Sequence, residues 1–494
     1  MLPKWIAQPK EIFSQKTNEQ VSVKECTYLK EFSKKNLELL RINHLFPVQS
    51  NVIPYILSQN CKGSIFGKAG LQPSDICVSA PTGSGKTLAY AVPIVQVIHH
   101  CLFRRLQALV VLPSKDLASQ VKTVFSKLVA GTHLKIGLAS GVKSFHDEQQ
   151  LLVSVGQHGF VSNVDILVST PGRLVDHITS TDGFSLQHIR FLVIDEADRL
   201  LGQSYHNWLE KIFEAIFTPS TFDSSNKSTL LEGRCGRGHL VASSIDRNEL
   251  PLQKLLFSAT MTQNPEKLGP LNLYNPVFFK VMGKAEIEGK DTSKGSEETE
   301  RYTLPELLEE KMTICKPGEK PLLVVYFVKV LNYRRILCFT GSIEATHRLF
   351  LLLKAFDIKA SEFSSSLNQT QRKGTLRDFK MGKIDLLVCS DAMSRGMDIE
   401  DVDFVISYDP PVNMKTYIHR VGRTARAGNR GTALTLLSSK EVFHFKKMAM
   451  DSSRKSSVQK LVVPKNDLEP LMADYQNALA SLKDLVKTEN QQKS

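Results

Sequence analysis

Residues 80–87, with the sequence APTGSGKT, combine two glycines with a lysine and a hydroxyl side chain in an order that suits phosphate binding. Glycine adopts positive φ easily, so backbone N–H groups in such a turn can converge on an anion. Lys86 adds a positive charge, and the Thr87 hydroxyl is a typical magnesium ligand. The predicted nucleotide-binding residues are Ala80, Pro81, Thr82, Gly83, Ser84, Gly85, Lys86 and Thr87. The alternative is a strand-to-helix turn that binds no ligand, since Ala80 stands where the strict pattern has glycine.

A second segment, residues 195–198 with the sequence DEAD, places carboxylates directly after the apolar run 191–194. Ligands of an open parallel sheet collect at the carboxyl ends of its strands, so we expect this segment and the glycine-rich turn to meet. Asp195 is suited to hold Mg²⁺ through water, and Glu196 to orient and deprotonate the water that attacks a γ-phosphate. Taken alone, the segment is also compatible with an acidic helix N-terminus stabilised by the helix dipole.

The pattern around these segments predicts an α/β protein. Short runs rich in β-branched and other apolar residues alternate with amphipathic stretches, which is typical of a parallel sheet covered by helices on both faces. The first series of runs comprises residues 76–78, 108–112, 165–168, 191–194 and 254–257. A second series comprises residues 335–339, 385–389 and 404–407. Because 494 residues exceed what one core usually supports, the two series predict two domains.

The composition of the connecting segments predicts the domain limits. Residues 283–300 are polar and lack apolar periodicity, which is typical of a flexible linker. The predicted organisation is an N-terminal extension (1–40), a first domain (41–282) with insertions at 60–75 and 218–253, the linker (283–300), a second domain (301–465) and a C-terminal helix with a polar tail (466–494). Both insertions are interpreted as mobile surface segments, with RNA contact by Arg234 and Arg237 as the alternative for the second.

Charge and cysteine usage narrow the class of protein. The formal net charge of +13 favours a polyanionic partner, although a purely solubilising role for the charge is also possible. The eight cysteines are scattered without a metal-ligand spacing, which predicts a reducing intracellular compartment and no structural zinc. The first 13 residues lack a continuous apolar segment, and no run is long enough to span a bilayer, so we expect a soluble protein, most simply a monomer.

With these motifs in order, the chain resembles the DEAD-box RNA helicases. The segments that carry the resemblance are TPGRL at 170–174, DEAD at 195–198, SAT at 258–260, SRGMD at 394–398 and HRVGRTAR at 419–426, with Gln369 and Arg372 matching a QxxR element. The match runs from about residue 49 to residue 431, and an ordered set is far more specific than any single motif. The resemblance implies two tandem RecA-like domains, each a parallel sheet flanked by helices, with ATP and Mg²⁺ as cofactors and RNA as partner.

The resemblance also assigns residues to the catalytic cycle. Lys86, Asp195 and Glu196 are joined by Arg423 and Arg426, which resemble arginine fingers that stabilise transition-state charge on the γ-phosphate when the domains close. Gln49 resembles the residue that bonds the adenine edge, and Asp398 the residue that reaches the ribose. Closure is expected to bring Ser258 and Thr260 beside Asp195 and Asp198. The residues assigned to interdomain coupling are Asp198, Ser258, Thr260 and His419.

RNA contact is expected from glycines, hydroxyls and single cations that hold a sugar-phosphate backbone without identifying bases. The residues assigned to it are Pro113, Lys115, Gly141, Thr170, Pro171, Gly172, Arg173, Thr340, Gly341, Gln369 and Arg372. Lys115 replaces the family's arginine, which predicts a weaker grip. No aromatic residue lies at the family's usual distance upstream of Gln49, and Trp5 and Tyr28 are the nearest substitutes.

Three features resemble a DEAD-box branch associated with large ribosomal subunit assembly: the segment Phe46-Pro47-Val48-Gln49, the opening Leu2-Pro3-Lys4-Trp5 and the two insertions. This resemblance implies pre-ribosomal particles or protein cofactors as further partners, and a nuclear or nucleolar location. The main hypothesis is an RNA-dependent ATPase that separates short duplexes or remodels ribonucleoproteins. The alternatives are an ATP-dependent RNA clamp or scaffold with little unwinding, and a DNA translocase of the wider superfamily.

Overall fold

The structure is a computed structural model of the 494-residue chain. It describes residues 3–13, 21–60, 73–81, 83–101, 103–156, 159–202, 207–217, 252–259, 268–282, 307–364, 367–391, 399, 402–425, 429–450 and 458–493. The chain divides into two compact units, residues 1–80 with 84–282 and residues 81–83 with 283–494. The predicted linker and most of the two predicted insertions, with Arg234 and Arg237, lie outside the described residues.

The first unit is built on a parallel sheet. Its helices are α1 (Lys4–Ala7), α2 (Glu31–Leu39), α3 (Pro47–Asn60), α4 (Lys86–Ile98), α5 (Lys115–Leu128), α6 (Phe145–Leu152), α7 (Pro171–Ser180), α8 (Ala197–Leu200) and α9 (Trp208–Phe217). Its strands are β1 (Lys10–Phe13), β2 (Val21–Ser22), β3 (His44–Leu45), β4 (Ile76–Ser79), β5 (Ala108–Val111), β6 (Ile136–Ala139), β7 (Val153–Gly156), β8 (Gly159–Ser162), β9 (Ile166–Ser169), β10 (Phe191–Asp195), β11 (Gln253–Ser258) and β12 (Val277–Met282). Within the described residues, eight of these strands form one sheet in the order β1-β12-β4-β11-β10-β5-β9-β6.

The apolar runs become central strands because both of their faces are covered. Along β10, Phe191 and Val193 belong to one core cluster, whereas Leu192 and Ile194 belong to the cluster on the opposite face. All of these side chains are inaccessible to solvent. Full burial of alternate residues on two faces is what a parallel sheet between helical layers requires, and it confirms the predicted architecture.

The N-terminal residues are an integral part of the first sheet. Strand β1 pairs in parallel with β12, and Ile12 belongs to the core. Trp5 packs edge-on against Phe278, with ring centroids 6.5 Å apart. The segment that the sequence pattern set apart as an extension therefore completes one edge of the first unit.

The second unit repeats the architecture with a smaller sheet. Its helices are α10 (Lys320–Lys329), α11 (Ile343–Ala355), α12 (Gln369–Lys380), α13 (Met414–Val421), α14 (Glu441–Met450) and α15 (Lys465–Lys493). Its strands are β13 (Leu308–Ile314), β14 (Ile336–Thr340), β15 (Ala360–Phe363), β16 (Leu386–Ser390), β17 (Phe404–Ser407), β18 (Gly431–Leu437) and β19 (Gln459–Lys460). Within the described residues these strands form a parallel sheet in the order β15-β16-β14-β17-β18-β13-β19.

The C-terminal helix α15 is anchored to the second unit by its first half. The Tyr475 hydroxyl donates a hydrogen bond to the Gly318 carbonyl at 2.7 Å, and the Tyr326 hydroxyl donates to Asp467 at 3.1 Å. Tyr475 and Ala478 are buried in the core that α10 and α11 share. Across the described part of the chain, neither α15 nor any other helix combines the length and apolar character that crossing a membrane requires.

Candidate active site

The glycine-rich turn between β4 and α4 has the backbone of a phosphate cradle. Gly83 and Gly85 adopt φ values of 80° and 81°, and α4 begins at the next residue, Lys86. The Lys86 ammonium donates a hydrogen bond to the Ala80 carbonyl at 2.7 Å, which spans the turn. A Cβ at position 85 would lie 2.2 Å from Nε2 of Gln49, so both the conformation and the space at this position require glycine.

Gln49 supports the cradle from the side. Its side chain is buried, its Oε1 accepts a hydrogen bond from the Phe46 backbone at 2.8 Å, and its Nε2 donates to the Gly85 carbonyl at 3.1 Å. The Phe46 ring also contacts Gly85, because a Cβ there would lie 2.9 Å from Phe46 Cδ2. Sequence reasoning missed Phe46, although its position three residues before Gln49 places both side chains at the start of one helix.

Asp195 is the last residue of β10 and lies at the carboxyl edge of the sheet, where β4 leads into the cradle. Its carboxylate accepts a hydrogen bond from the Tyr90 hydroxyl at 2.9 Å. Burial raises the pKa of Asp195 to about 6, and the neighbouring Glu196 adds to this, whereas Lys86 and Tyr90 oppose it. Asp195 is therefore predominantly anionic at neutral pH, but by a small margin.

Tyr90 was not identified from the sequence. It is fully buried and interacts with Thr87 as well as with Asp195, so its hydroxyl joins the two predicted magnesium ligands. The available signal was its position three residues after Thr87, which puts both side chains on the same face of α4. Burial raises the pKa of Tyr90 well above its usual value, so the hydroxyl remains a proton donor.

Glu196 stands at a sharp turn between β10 and α8. Its backbone is left-handed, with φ 50° and ψ 47°, which costs a non-glycine residue of the order of 1–3 kcal/mol. The Glu196 N–H donates to the Asp195 carboxylate at 2.9 Å, and its carbonyl accepts from the backbone N–H groups of Arg199 and Leu200. The turn holds the half-buried Glu196 side chain at the edge of the sheet instead of inside it.

The contact between Ser258 and Asp198 is formed within the first unit. The Ser258 hydroxyl donates to Asp198 at 2.7 Å, and both side chains are buried. Strands β10 and β11 are adjacent, with Asp195 paired to Phe257, so the end of β11 necessarily lies beside the first turn of α8. The expectation that domain closure brings Ser258 to Asp198 was wrong, because neighbouring strands already do so.

The residues of this edge fit a magnesium-bound nucleotide. The positive φ of Gly83 and Gly85 lets the backbone N–H groups of the turn converge on a phosphate, and Lys86 adds a positive charge. The Thr87 hydroxyl and the Asp195 carboxylate are oxygen donors, which Mg²⁺ prefers, and Asp195 is anionic at neutral pH.

A buried carboxylate, Glu148, connects the first-unit segments that were predicted to contact RNA. Its Oε1 accepts hydrogen bonds from the Ser140 and Gly141 backbones at 3.3 and 3.0 Å. Its Oε2 accepts from Arg173 Nε at 2.6 Å and contacts His177 Nε2 at 3.2 Å. Burial would raise the pKa of Glu148, but the bonds from Arg173 and His177 outweigh this and lower it. Glu148 was missed because nothing in its sequence neighbourhood reveals these distant partners.

Lys115 and Phe145 complete this group. Lys115, the first residue of α5, donates to the Gly141 carbonyl at 3.2 Å. The Arg173 guanidinium lies 4.7 Å from the centre of the Phe145 ring, which stacks on His177 at the same distance. Two predicted RNA-binding cations therefore converge on one loop, whose backbone Glu148 holds. Gly172 is exposed on the adjoining turn, whereas Pro171 is buried.

In the second unit, the predicted RNA-contacting residues differ in accessibility. Thr340 is buried and shares a hydrogen bond of 2.6 Å with Thr346, so its hydroxyl is not presented to solvent. Gly341 is exposed, and its N–H donates to Asp409 at 2.7 Å. Half-buried Arg372 donates to the Leu367 carbonyl at 2.9 Å. Gln369 is the first residue of α12.

Arg420 organises the site edge of the second unit and was not predicted. It is 2% exposed and donates two hydrogen bonds to the Asp391 carboxylate, at 2.6 and 2.8 Å, and a third to the Asp409 carbonyl at 2.6 Å. The predicted residues His419 and Arg423 are also buried. Thr82, Thr260, Asp398 and Arg426 lie outside the described residues.

Comparisons with known proteins agree with this geometry. Residues 46–268 match the DEAD/DEAH box helicase family, and residues 319–428 match the helicase conserved C-terminal domain. The ATP-dependent RNA helicase DDX51 of Mus musculus is 42% identical over 497 residues, covering 100% of this chain and 76% of the mouse protein. The chain belongs to the DEAD-box family of ATP-dependent RNA helicases.

Two further relatives of this DEAD-box chain agree with the assignment. The Homo sapiens ATP-dependent RNA helicase DDX51 is also 42% identical, covering 100% of this chain and 73% of the human protein. The solved structure of Mss116p bound to ssRNA and AMP-PNP has a TM-score of 0.69 at 20% identity, covering 96% of this chain and 90% of that one. At that identity the likeness confirms the fold of two parallel sheets flanked by helices.

Proposed function

We propose that this chain is an ATP-dependent RNA helicase that couples ATP binding and hydrolysis to local separation of RNA duplexes or remodelling of ribonucleoproteins. The observation that carries the proposal is the carboxyl edge of the first sheet. There the Lys86 cradle and the Thr87–Tyr90–Asp195 contacts lie beside the strained turn of Glu196.

Each residue of this edge has a distinct role in the proposal. When bound, ATP with Mg²⁺ supplies the phosphoanhydride bond and neutralises charge on the phosphates. The cradle amides and Lys86 hold the phosphates, Thr87 and Asp195 hold the metal, and Glu196 accepts a proton from the attacking water. Gln49 fixes the cradle and recognises the adenine edge, and Asp398 binds the ribose.

RNA binding is assigned to the loop that Glu148 holds, with Lys115, Gly141 and Arg173 in the first unit and Gly341 and Arg372 in the second. These groups are backbone amides and cations suited to phosphates, so binding is largely independent of sequence. Coupling between nucleotide and RNA is assigned to Asp198, Ser258, Thr260 and His419, and transition-state charge to Arg423 and Arg426.

The substitution Glu196→Gln tests the proposed function directly. It removes the proton acceptor while keeping the size of the side chain, so RNA-stimulated ATP hydrolysis should fall to the background rate while a fluorescent ATP analogue still binds. Glu210→Gln, a substitution on helix α9, is the matched control. Turnover retained by Glu196→Gln would contradict the role of Glu196, and wild-type hydrolysis that RNA does not stimulate would contradict the function.

Duplex release separates the helicase from the clamp. A short RNA duplex should be released at a rate that depends on hydrolysable ATP, whereas a clamp would hydrolyse ATP without releasing strands. The names of the relatives favour the helicase. Strand release from an RNA duplex but not from a matching DNA duplex would exclude the DNA translocase.

We further propose that this chain is a monomer that acts on RNA in pre-ribosomal particles or with protein cofactors, in the nucleus or nucleolus. We also propose the domain limits that the sequence predicts. Crosslinking in cells followed by sequencing of the bound RNA tests the substrate. Enrichment of messenger RNA instead of ribosomal RNA precursors would contradict it.

A further inference from the structure

A cationic surface lies at the amino ends of the first unit's strands, opposite the edge that carries the cradle. We call it the basic edge, and its residues are Lys30, His100, Phe103, Arg104, Arg105, His133 and Lys135. Strand β5 begins at Ala108 and β6 at Ile136, so the loops that precede them both contribute. None of these residues belongs to the site described above.

Contacts between the loops make the basic edge one continuous surface. Lys30 Nζ from the end of one loop meets His100 Nε2 from another. Arg104 donates to the His133 carbonyl at 3.3 Å, and His133 Nε2 contacts the Cys101 carbonyl at 2.9 Å. The cations are therefore gathered by the fold, although they come from three separate parts of the chain.

Of the carboxylates near this edge, Asp165 is withdrawn from solvent, whereas Glu31 is exposed and pairs with Lys34 at 3.4 Å. Arg104 forms an ion pair with Asp165 at 3.8 Å, and the Asp165 side chain is 1% exposed. Asp165 also accepts the Lys135 backbone N–H at 2.8 Å, so it anchors the loops. His100, His133 and Lys135 remain exposed, and Lys30 and Arg105 are half-exposed.

An aromatic ring lies among these cations. Phe103 is 81% exposed, immediately before Arg104 and Arg105. Exposing a phenylalanine to water is unfavourable by itself, whereas a ring beside cations is the arrangement that binds single-stranded nucleic acid through base stacking and phosphate attraction.

Helix α5 connects the basic edge to the proposed RNA interface. It begins with Lys115, which contacts Gly141, and ends at Leu128 close to the loop that carries His133. Lys122 lies two turns after Lys115 on the same face. The 14 residues of α5 span about 21 Å, a distance that some six nucleotides cover at 3.4 Å or more each.

We propose that the basic edge is a second binding surface for single-stranded RNA, which continues along α5 from the interface at Lys115 and Gly141. This inference rests on the proposed function, because it requires that the chain binds RNA. The surface binds phosphates through its cations and one base through Phe103. It therefore extends the bound RNA without adding sequence preference.

The experiment compares two single-stranded oligouridylates. One of about 8 nucleotides is long enough only for the interface at Lys115 and Gly141, and one of about 25 nucleotides can also reach the basic edge. The variants are Phe103→Ala and the double substitution Arg105→Gln with Lys135→Gln, which remove the ring and two charges. The double substitution Lys446→Gln with Lys447→Gln removes two exposed lysines of α14 and is the matched control. Fluorescence anisotropy gives Kd at several salt concentrations.

The basic-edge variants should bind the long RNA about tenfold more weakly while binding the short RNA as the wild type does. For the long RNA, the slope of log K against log salt concentration should become shallower by about 1.4 in the double variant. Each of the two lost phosphate contacts contributes about 0.7 to that slope. RNA-stimulated ATPase with the short RNA should be unchanged, which shows that the variants are folded.

Equal long-RNA affinities for the wild type and the variants would overturn the inference and leave the proposed function intact. An equal loss of affinity for both RNA lengths would also overturn it, because the substitutions would then weaken RNA binding at the first interface as well. A wild type that binds neither RNA would refute the proposed function and this inference together.

Discussion

The substitution Asp195→Asn should stabilise the first unit while abolishing ATP hydrolysis. Burial at the carboxyl end of β10 raises the pKa of Asp195 from 3.8 to about 6, so the native state holds a charge that the unfolded chain solvates better. At pH 8 this destabilises the native state by up to about 3 kcal/mol, because each pH unit of difference corresponds to about 1.4 kcal/mol. Asparagine removes the charge and keeps contact with the Tyr90 hydroxyl, which can donate or accept.

The stabilisation by Asp195→Asn should depend on pH in a defined direction. A carboxyl whose pKa is higher in the folded state binds a proton more readily when folded, so the wild type regains stability as the pH falls through 6. The advantage of Asp195→Asn should therefore be full at pH 8, fall to about half at pH 5 and disappear below about pH 4.

Tryptophan fluorescence makes this measurement specific. The two tryptophans of the chain, Trp5 and Trp208, both belong to the first unit, so urea unfolding followed by their emission reports on that unit. Asp182→Asn, at an exposed carboxylate, is the control and should leave the unfolding free energy unchanged at both pH values. An Asp195→Asn variant that is no more stable than the wild type at pH 8, or equally stabilised at pH 8 and pH 5, would refute the reasoning.

Three other substitutions test separate features. Gly85→Ala should weaken binding of a fluorescent ATP analogue at least tenfold, because its methyl group would collide with Gln49 and Phe46 and displace the turn. Gly131→Ala meets the same φ strain with open space around it and should leave the binding unchanged. Lys254→Met leaves the buried Asp75 without its ammonium partner and should lower the unfolding free energy of the first unit by about 3 kcal/mol, measured by urea unfolding; an unchanged value would contradict the pairing. Glu148→Gln weakens the bonds to two cations and should raise the RNA concentration for half-maximal ATPase stimulation about tenfold without changing the KM for ATP, and an unchanged RNA requirement would exclude the positioning role.

Much of the fold was predictable because local patterns reflect burial. The apolar runs of the sequence coincide with the central strands of both sheets, since a strand covered on two faces must be apolar throughout. The edge strand β1 was not predicted as such, because its pairing with β12 joins residues about 270 positions apart.

The cradle was also predictable, since its chemistry depends on neighbouring residues. Positive φ at Gly83 and Gly85 and the start of α4 at Lys86 follow from the local sequence APTGSGKT. The same holds for Asp195, because a carboxylate that directly follows a buried strand must stand at its carboxyl end.

The supporting residues depended on tertiary structure. Glu148, Tyr90 and Arg420 have ordinary sequence neighbourhoods, and their roles arise from partners that the fold brings to them. The bond between Ser258 and Asp198 shows the same limit, since only the adjacency of β10 and β11 places them together without closure. The sequence by itself thus determined which residues bind phosphate and where strands lie, because those properties are local. Only the tertiary structure decided which residues support the phosphate-binding residues and how far the pKa of Asp195 is raised. Both depend on burial and on long-range hydrogen bonds, which exist only in the folded chain.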